Sequence, residues 1–205
     1  MKAKGRIGVI DYGAGNLRSL ANALHRLEYE ALICTSPRDM EVCQGFVLPG
    51  VGSYPSAMET LSSRNLLSPL QEAWQSGVPI MGICLGLQLF YEDSDESGGA
   101  SGLGWLAGSV RRLSEAPKLP HVGWNTLSRR EGPYGGAEHD GSFVYFTHSY
   151  AVPYANQSEC TSTCRYGTEF VAGIEKDNLL GYQFHPEKSG DVGLALLADF
   201  AGKVR

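Results

Sequence analysis

The stretch Gly82-Ile83-Cys84-Leu85-Gly86-Leu87-Gln88 follows the apolar run Val78-Pro79-Ile80-Met81 and precedes residues that favour helix, so it sets one thiol at a strand-to-helix turn. Such a turn is where a fold holds a nucleophile. Glycine two residues to either side removes the Cβ atoms that would collide in so tight a bend. The free N–H groups at the start of the following helix favour thiolate over thiol. Five cysteines and 26 glycines can supply the pattern by chance, so it needs a base and an oxyanion site before it implies chemistry.

Histidine both takes and returns a proton at neutral pH. Of the five histidines, His185 ends the apolar run Leu180-Gly181-Tyr182-Gln183-Phe184 and is followed by Pro186 and Glu187. Proline biases His185 away from helix, so its imidazole projects from a strand end and Glu187 can lie on the same side to hold the tautomer. The same three residues could equally be a surface turn opening a helix. Pro49-Gly50-Val51-Gly52-Ser53 follows a strand ending at Leu48, and its glycines let the backbone aim N–H groups at a neighbouring site. Val51 N–H and Leu85 N–H would form an oxyanion pair; alone, the loop is also a plain turn before a helix cap. Gly13-Ala14-Gly15-Asn16 has Arg18 where a dinucleotide fingerprint wants its third glycine, which excludes a nucleotide site.

Periodicity supplies the elements that carry these residues. Arg6–Asp11 reads as a strand, then Leu17, Leu20, Ala21, Leu24 and Leu27 recur at helical spacing. Ala31–Cys34, Gly45–Leu48 and the run before Cys84 read as further strands, alternating with helices from Ser53 and over Leu66–Gln75, which implies a parallel sheet. After Ser109 the chain is β-rich: Val110–Leu113, His121–Leu127, Ser142–Val152, Glu159–Tyr166, Glu169–Glu175 and Leu179–Phe184 read as strands with meander-like connections. A last helix begins at Ser189 as N-cap, with Val192, Leu196 and Phe200 on one stripe. Glu92–Gly104 and Ser128–Gly141, rich in Gly, Ser and acidic residues, read as surface loops.

With 205 residues, 42% hydrophobic and 19% charged, the chain fits one globular domain with a full core. Its 17 Lys+Arg against 22 Asp+Glu give a formal charge of −5, which offers no footprint for nucleic acid or an anionic membrane. No apolar run approaches about 18 residues, and Met1–Arg6 leads into a strand without a signal-peptide core, so a cytosolic chain is expected. Cys160 and Cys164 would share one strand face about 13 Å apart, too far to bridge. No further zinc ligands stand nearby, so these two, with Cys34 and Cys43, read as packing residues with reduced thiols.

The segments at 82–88, 49–52 and Phe184-His185-Pro186-Glu187-Lys188-Ser189 resemble the triad-type, class I glutamine amidotransferases. Within that family, Ile10-Asp11-Tyr12-Gly13-Ala14-Gly15-Asn16-Leu17, Pro49-Gly50-Val51-Gly52, Pro120-His121-Val122-Gly123-Trp124-Asn125 and Tyr145-Phe146-Thr147-His148-Ser149-Tyr150 look like the glutaminase subunits of imidazole glycerol phosphate synthases; Val122 stands where methionine is common. The resemblance implies a flavodoxin-like α/β fold, a central, mostly parallel sheet flanked by helices with additional antiparallel strands in the second half, over a single domain 1–205. It implies that Cys84, His185 and Glu187 hydrolyse L-glutamine to L-glutamate through a γ-glutamyl thioester, with Gly50, Gly52, Gln88, Glu96, His148, Ser149 and Tyr150 lining the glutamine site. Ammonia would pass within a heterodimer to a (β/α)8-barrel cyclase subunit, which makes imidazole glycerol phosphate and aminoimidazole carboxamide ribotide in histidine biosynthesis. Tyr12, Asn16, Trp124 and the 49–52 loop would face that partner. No cofactor or metal is expected.

Two alternatives remain at this level. A stand-alone cysteine hydrolase on the same fold would keep the order Cys84 before His185, and a catalytically silent interaction subunit would keep the fold alone.

Overall fold

The computed structural model describes residues 3–13, 17–130 and 140–204. The first half alternates strand and helix: Arg6–Ile10 (β1), Leu17–Arg26 (α1), Glu30–Cys34 (β2), Pro37–Met40 (α2), Gly45–Leu48 (β3), Tyr54–Ser63 (α3), Leu67–Gln75 (α4), Ile80–Ile83 (β4) and Leu85–Gln88 (α5). Then come Tyr91–Ser94 (β5), Ala100–Ser101 (β6), Leu106–Arg112 (β7), His121–Thr126 (β8), Ser128–Arg129 (β9), Phe143–His148 (β10) and Tyr150–Ala151 (β11). Cys160–Tyr166 (β12), Thr168–Lys176 (β13), Leu179–Tyr182 (β14) and Gly190–Lys203 (α6) complete the chain.

The main sheet runs β2-β1-β3-β4-β14-β13-β12-β9. Its first five strands are parallel to their neighbours, and the β14-β13-β12-β9 edge is antiparallel. This is the expected mixed α/β sheet. Short apolar runs such as Ile80–Ile83 are buried along their whole length because helices cover both faces. Val9, Val47 and Met81 pack on one side with Leu20, Leu24, Leu197 and Phe200 of α1 and α6. Ile10, Leu48 and Ile80 pack on the other with Tyr54, Ala57, Leu61 and Leu70 of α3 and α4. Parallel strands entering one layer leave their C-terminal ends, and the loops that follow, along a single edge, where an open α/β sheet holds its ligand.

Two readings need correction. Glu92–Gly104 is not all surface loop: β5 pairs parallel with β7 and antiparallel with β6, and Ser94 is buried. Its acidic residues are held by partners, Glu92 accepting from Gly108 N–H at 2.9 Å and Asp93 pairing with Arg111 at 2.7 Å, so polar composition there signals cross-strand pairing. Cys160 and Cys164 do not share a face. Register shifts between Cys160 and Thr163 turn the strand over, so Cys160 packs with Ile174 and Cys164 with Phe170, in opposite cores. The Ser128–Gly141 loop lies for the most part outside the described residues, which resume at Asp140.

The last helix, α6, braces the His185 segment: Gly193 of its first turn lies so close to the Pro186 carbonyl that an added Cβ would overlap it. Phe200, fully buried on the same helix, anchors the element to the sheet. Phe200→Ala is expected to cost about 3–5 kcal/mol of folding stability, read as a lower urea midpoint at unchanged slope; a loss under about 1 kcal/mol would contradict the packing described.

Candidate active site

Cys84 stands between β4 and α5 with φ 51° and ψ −103°, a backbone conformation that side-chain-bearing residues rarely adopt. Holding it costs on the order of 1–3 kcal/mol, so the surroundings must over-determine it. They do so by contact. A Cβ on Gly86 would fall on the Leu48 carbonyl, and one on Gly50 would fall on the Ile83 carbonyl and within 2.6 Å of Cys84 Cβ. The ends of β3 and β4 therefore meet at distances that only glycine permits. From the other side, Cys84 N–H donates to Tyr182 O of β14 at 2.7 Å.

β14 then brings in His185. Past its end, His185 is extended, and its N–H donates to Tyr145 O at 2.9 Å. Its Nδ1 lies 2.9 Å from Glu187 Oε1, with both side chains almost wholly buried. Nε2 lies beside Cys84 with no hydrogen bond formed to the described residues, which leaves it to exchange a proton with the thiol. Burial opposes the imidazolium, but contact with Cys84 and Glu187 outweighs it and raises the pKa of His185 to about 10. Ser189 occupies the N-cap position of α6 yet makes no cap bond; its Oγ donates to His185 O at 2.7 Å and accepts from Tyr145 N–H at 3.0 Å. The hydroxyl is spent on fixing the histidine.

Cys84 opens onto a cavity of about 310 Å³ lined by Gly50, Val51, Gly52, Leu85, Gln88, Glu96, Pro120, Thr147, His148, Ser149 and Tyr150. Every expected oxyanion and glutamine-site residue is thus gathered around one thiol. Glu96, not its neighbour Asp95, faces this space, and its Oε2 accepts the Tyr54 N–H of α3 at 2.8 Å. Gly52 has φ 126°, which lets the loop bend beside Cys84. Leu85, the first residue of α5, has an N–H with no intrahelical acceptor.

A buried polar network backs the cavity; Gln88, His148 and Tyr150 were expected at the site, whereas His121 and Gln183 were not. Tyr150 O accepts from Gln88 Nε2 at 2.8 Å and from His148 Nδ1 at 2.9 Å. His148 Nε2 must then accept, and His121 Nδ1 donates to it at 3.2 Å. Burial lowers His121 to about 4, and burial together with the neighbouring imidazoles lowers His148 to about 3, so both rings are neutral. Gln88 Nε2 also meets Gln183 Oε1 at 3.1 Å. The available signal for Gln183 was a lone amide inside an otherwise apolar buried strand segment.

Of the three residues expected on a partner face, Trp124 is exposed, on a ribbon of β8 and β10 that also exposes Val122 and Phe143. Tyr12 is 3% exposed and packs with Leu48 and Tyr54. Asn16 lies outside the described residues.

The model of the family glutamine amidotransferase class-I matches residues 8–204. The chain belongs to that family. Imidazole glycerol phosphate synthase subunit HisH of Bacillus cytotoxicus is 44% identical over 97% of this chain and 95% of its own length. The subunit of that name from Oceanobacillus iheyensis is 43% identical over 97% of this chain and all of its own. A crystal structure of a glutamine amidotransferase superposes with a TM-score of 0.75 at 18% identity, over 96% of this chain and 98% of its own, a likeness of fold.

The histidines give the amidotransferase opposed pH limbs. His121 and His148 have pKa values lowered from 6.5 to about 4 and about 3, so the unfolded chain binds protons first. Their stabilisation is complete above pH 6.5 and is lost as pH falls toward 4. His185 is raised from 6.5 to about 10, so its contribution is complete below pH 6.5 and is lost as pH rises toward 10. Urea denaturation across pH is expected to show His121→Gln flattening the acid limb and His185→Gln the alkaline one. An acid limb unchanged in His121→Gln would refute the neutral pair.

Proposed function

We propose that Cys84, His185 and Glu187 hydrolyse the side-chain amide of L-glutamine, and that the chain is the glutaminase subunit of an imidazole glycerol phosphate synthase, one domain over 1–205 acting in the cytoplasm. The observation that carries this reading is the strained thiol at the wall of a cavity, backed by a buried His185–Glu187 pair. Near full-length identity of 42–44% to HisH subunits supports the choice of synthase. Five free cysteines suit a reducing compartment.

In this mechanism the Cys84 thiolate attacks Cδ of glutamine. The C–S bond forms, the carbonyl electron pair moves to oxygen, and the N–H groups of Val51 and Leu85 stabilise that oxyanion. The His185 imidazolium gives its Nε2 proton to the amide nitrogen as the C–N bond breaks, leaving ammonia and a γ-glutamyl thioester. Neutral His185 then takes a proton from the attacking water, the C–S bond breaks, and glutamate departs. Glu187 holds Nδ1–H and so the tautomer. For the substrate's α-ammonium, Glu96 offers its carboxylate and Gln88 its carbonyl oxygen, since Gln88 commits its amide protons inward. Gly50, Gly52, Ser149 and Tyr150 offer backbone and hydroxyl donors around the same space, and His148 forms a neutral wall.

Ammonia released to water becomes ammonium and loses its nucleophilicity, so the product is useful only if it is passed on directly. We assign the cyclase partner to the exposed face of the β8–β10 ribbon with Val122, Trp124 and Phe143, and keep Asn16 as a partner residue from the sequence reading. The opposite face of that ribbon carries His148 to the cavity wall with His121 bonded behind it, so docking there would bear on the glutamine site. A stand-alone hydrolase would leave this apolar face without purpose.

Cys84→Ala is expected to lower glutamine-dependent synthesis by the complex by roughly three orders of magnitude or more, with ammonia-dependent synthesis kept. Loss of both activities together would refute the division of labour. Glutamate release by the isolated chain is expected to be low and to rise when the cyclase and its ligand are added; equal release with and without them would remove the partner from the mechanism.

A further inference from the structure

Gln183 follows β14 with 0% exposure and is not part of the cavity lining. The direction of its amide is fixed from a distance. Tyr150 O can only accept, so Gln88 must turn its NH2 toward it, 2.8 Å away. That same nitrogen is 3.1 Å from the Gln183 amide and can only donate, so Gln183 must answer with Oε1. Its own NH2 is then forced to the opposite side, where Nε2 is 3.5 Å from Cys84 Sγ. The reversed amide would set two NH2 groups against each other. Among the described residues the sulfur is the acceptor that Gln183 Nε2 has, whereas a buried glutamine serving only the fold would satisfy itself on backbone carbonyls.

A thiol has little need of such a donor; a thiolate does. Cys84 Sγ also faces Thr147 O at 3.8 Å, a carbonyl that accepts the thiol proton but repels the ionised sulfur. An N–H held on the other side shifts the balance toward the ionised form. We propose that Gln183 is a further catalytic residue of glutamine hydrolysis, donating a hydrogen bond from Nε2 to the Cys84 thiolate before attack and yielding it as the C–S bond forms and charge moves to the oxyanion. This rests on Cys84 being the nucleophile of the glutaminase reaction. It also gives Gln88 a second effect, since the residue that meets glutamine orients the amide that meets sulfur.

Alkylation of Cys84 by iodoacetamide in the full chain, followed by peptide mass mapping across pH, tests it. Gln183→Leu is expected to raise the pH of half-maximal alkylation by about one unit and to slow alkylation at neutral pH about tenfold. A folded Gln183→Leu protein with the wild-type pH profile would overturn the assignment. Should the variant not fold, the side-chain amide resonances of Gln183 in the native sequence decide: they are expected to move on Cys84→Ala, and their staying in position would equally overturn it. If Cys84→Ala still releases glutamate, the glutaminase reading itself fails. If it is inactive while Gln183→Leu keeps the wild-type profile, only the role of Gln183 is lost.

Discussion

The close approach of three backbone segments at Cys84 is the constraint on which the rest of the structure depends. β3, β4 and the first turn of α5 converge where Gly50 and Gly86 lie against the Ile83 and Leu48 carbonyls. That convergence holds Cys84 at positive φ and turns its sulfur toward the cavity. It requires parallel neighbours ending at one level, which the sheet order β1-β3-β4-β14 supplies. The helices on both faces follow from the same demand, since a parallel sheet buried on both sides needs two covers. The energy that holds the strained turn comes from this apolar packing.

The second requirement is that the polar groups sunk beside the thiol be held by partners, with His185 Nε2 left open toward the sulfur. His185 answers to Glu187 at Nδ1 and to Ser189 at its carbonyl; Gln88, His148 and His121 converge on Tyr150 O or on one another. Because a carbonyl oxygen can only accept, one backbone group sets the orientation of two amides and two imidazoles. In a low-dielectric interior such a network is costly if broken and rigid if complete.

The β8–β10 ribbon joins inside and outside. Strand alternation sends His121 and His148 inward and Val122 and Trp124 outward, so one short ribbon reaches both the cavity beside Cys84 and the exposed apolar face. A binding event on that face and a geometry in the cavity are therefore separated by the thickness of one strand pair.

Local signals in the sequence pointed to Cys84, Gly50, Gly52, His185 and Glu187, because a sharp turn, a proline and a glycine leave short-range patterns, although each pattern alone also fitted a plain turn. Strand and helix alternation was legible for the same reason, as periodicity reports which side of an element is wet. What the chain alone could not decide involved partners distant in sequence. Polar Glu92 and Asp93 read as loop until Gly108 and Arg111 meet them across a ladder. The bulge that sends Cys160 and Cys164 to opposite cores exists only in pairing with β13. Tyr12 is buried because Leu48 and Tyr54 come to cover it. Gln183, 99 residues from Cys84 along the chain, finds the sulfur only once β14 lies beside β4. Sequence by itself marked the candidate reactive groups and the turns that display them; tertiary structure alone decided which donors face them, because hydrogen-bond direction is set by neighbours in space.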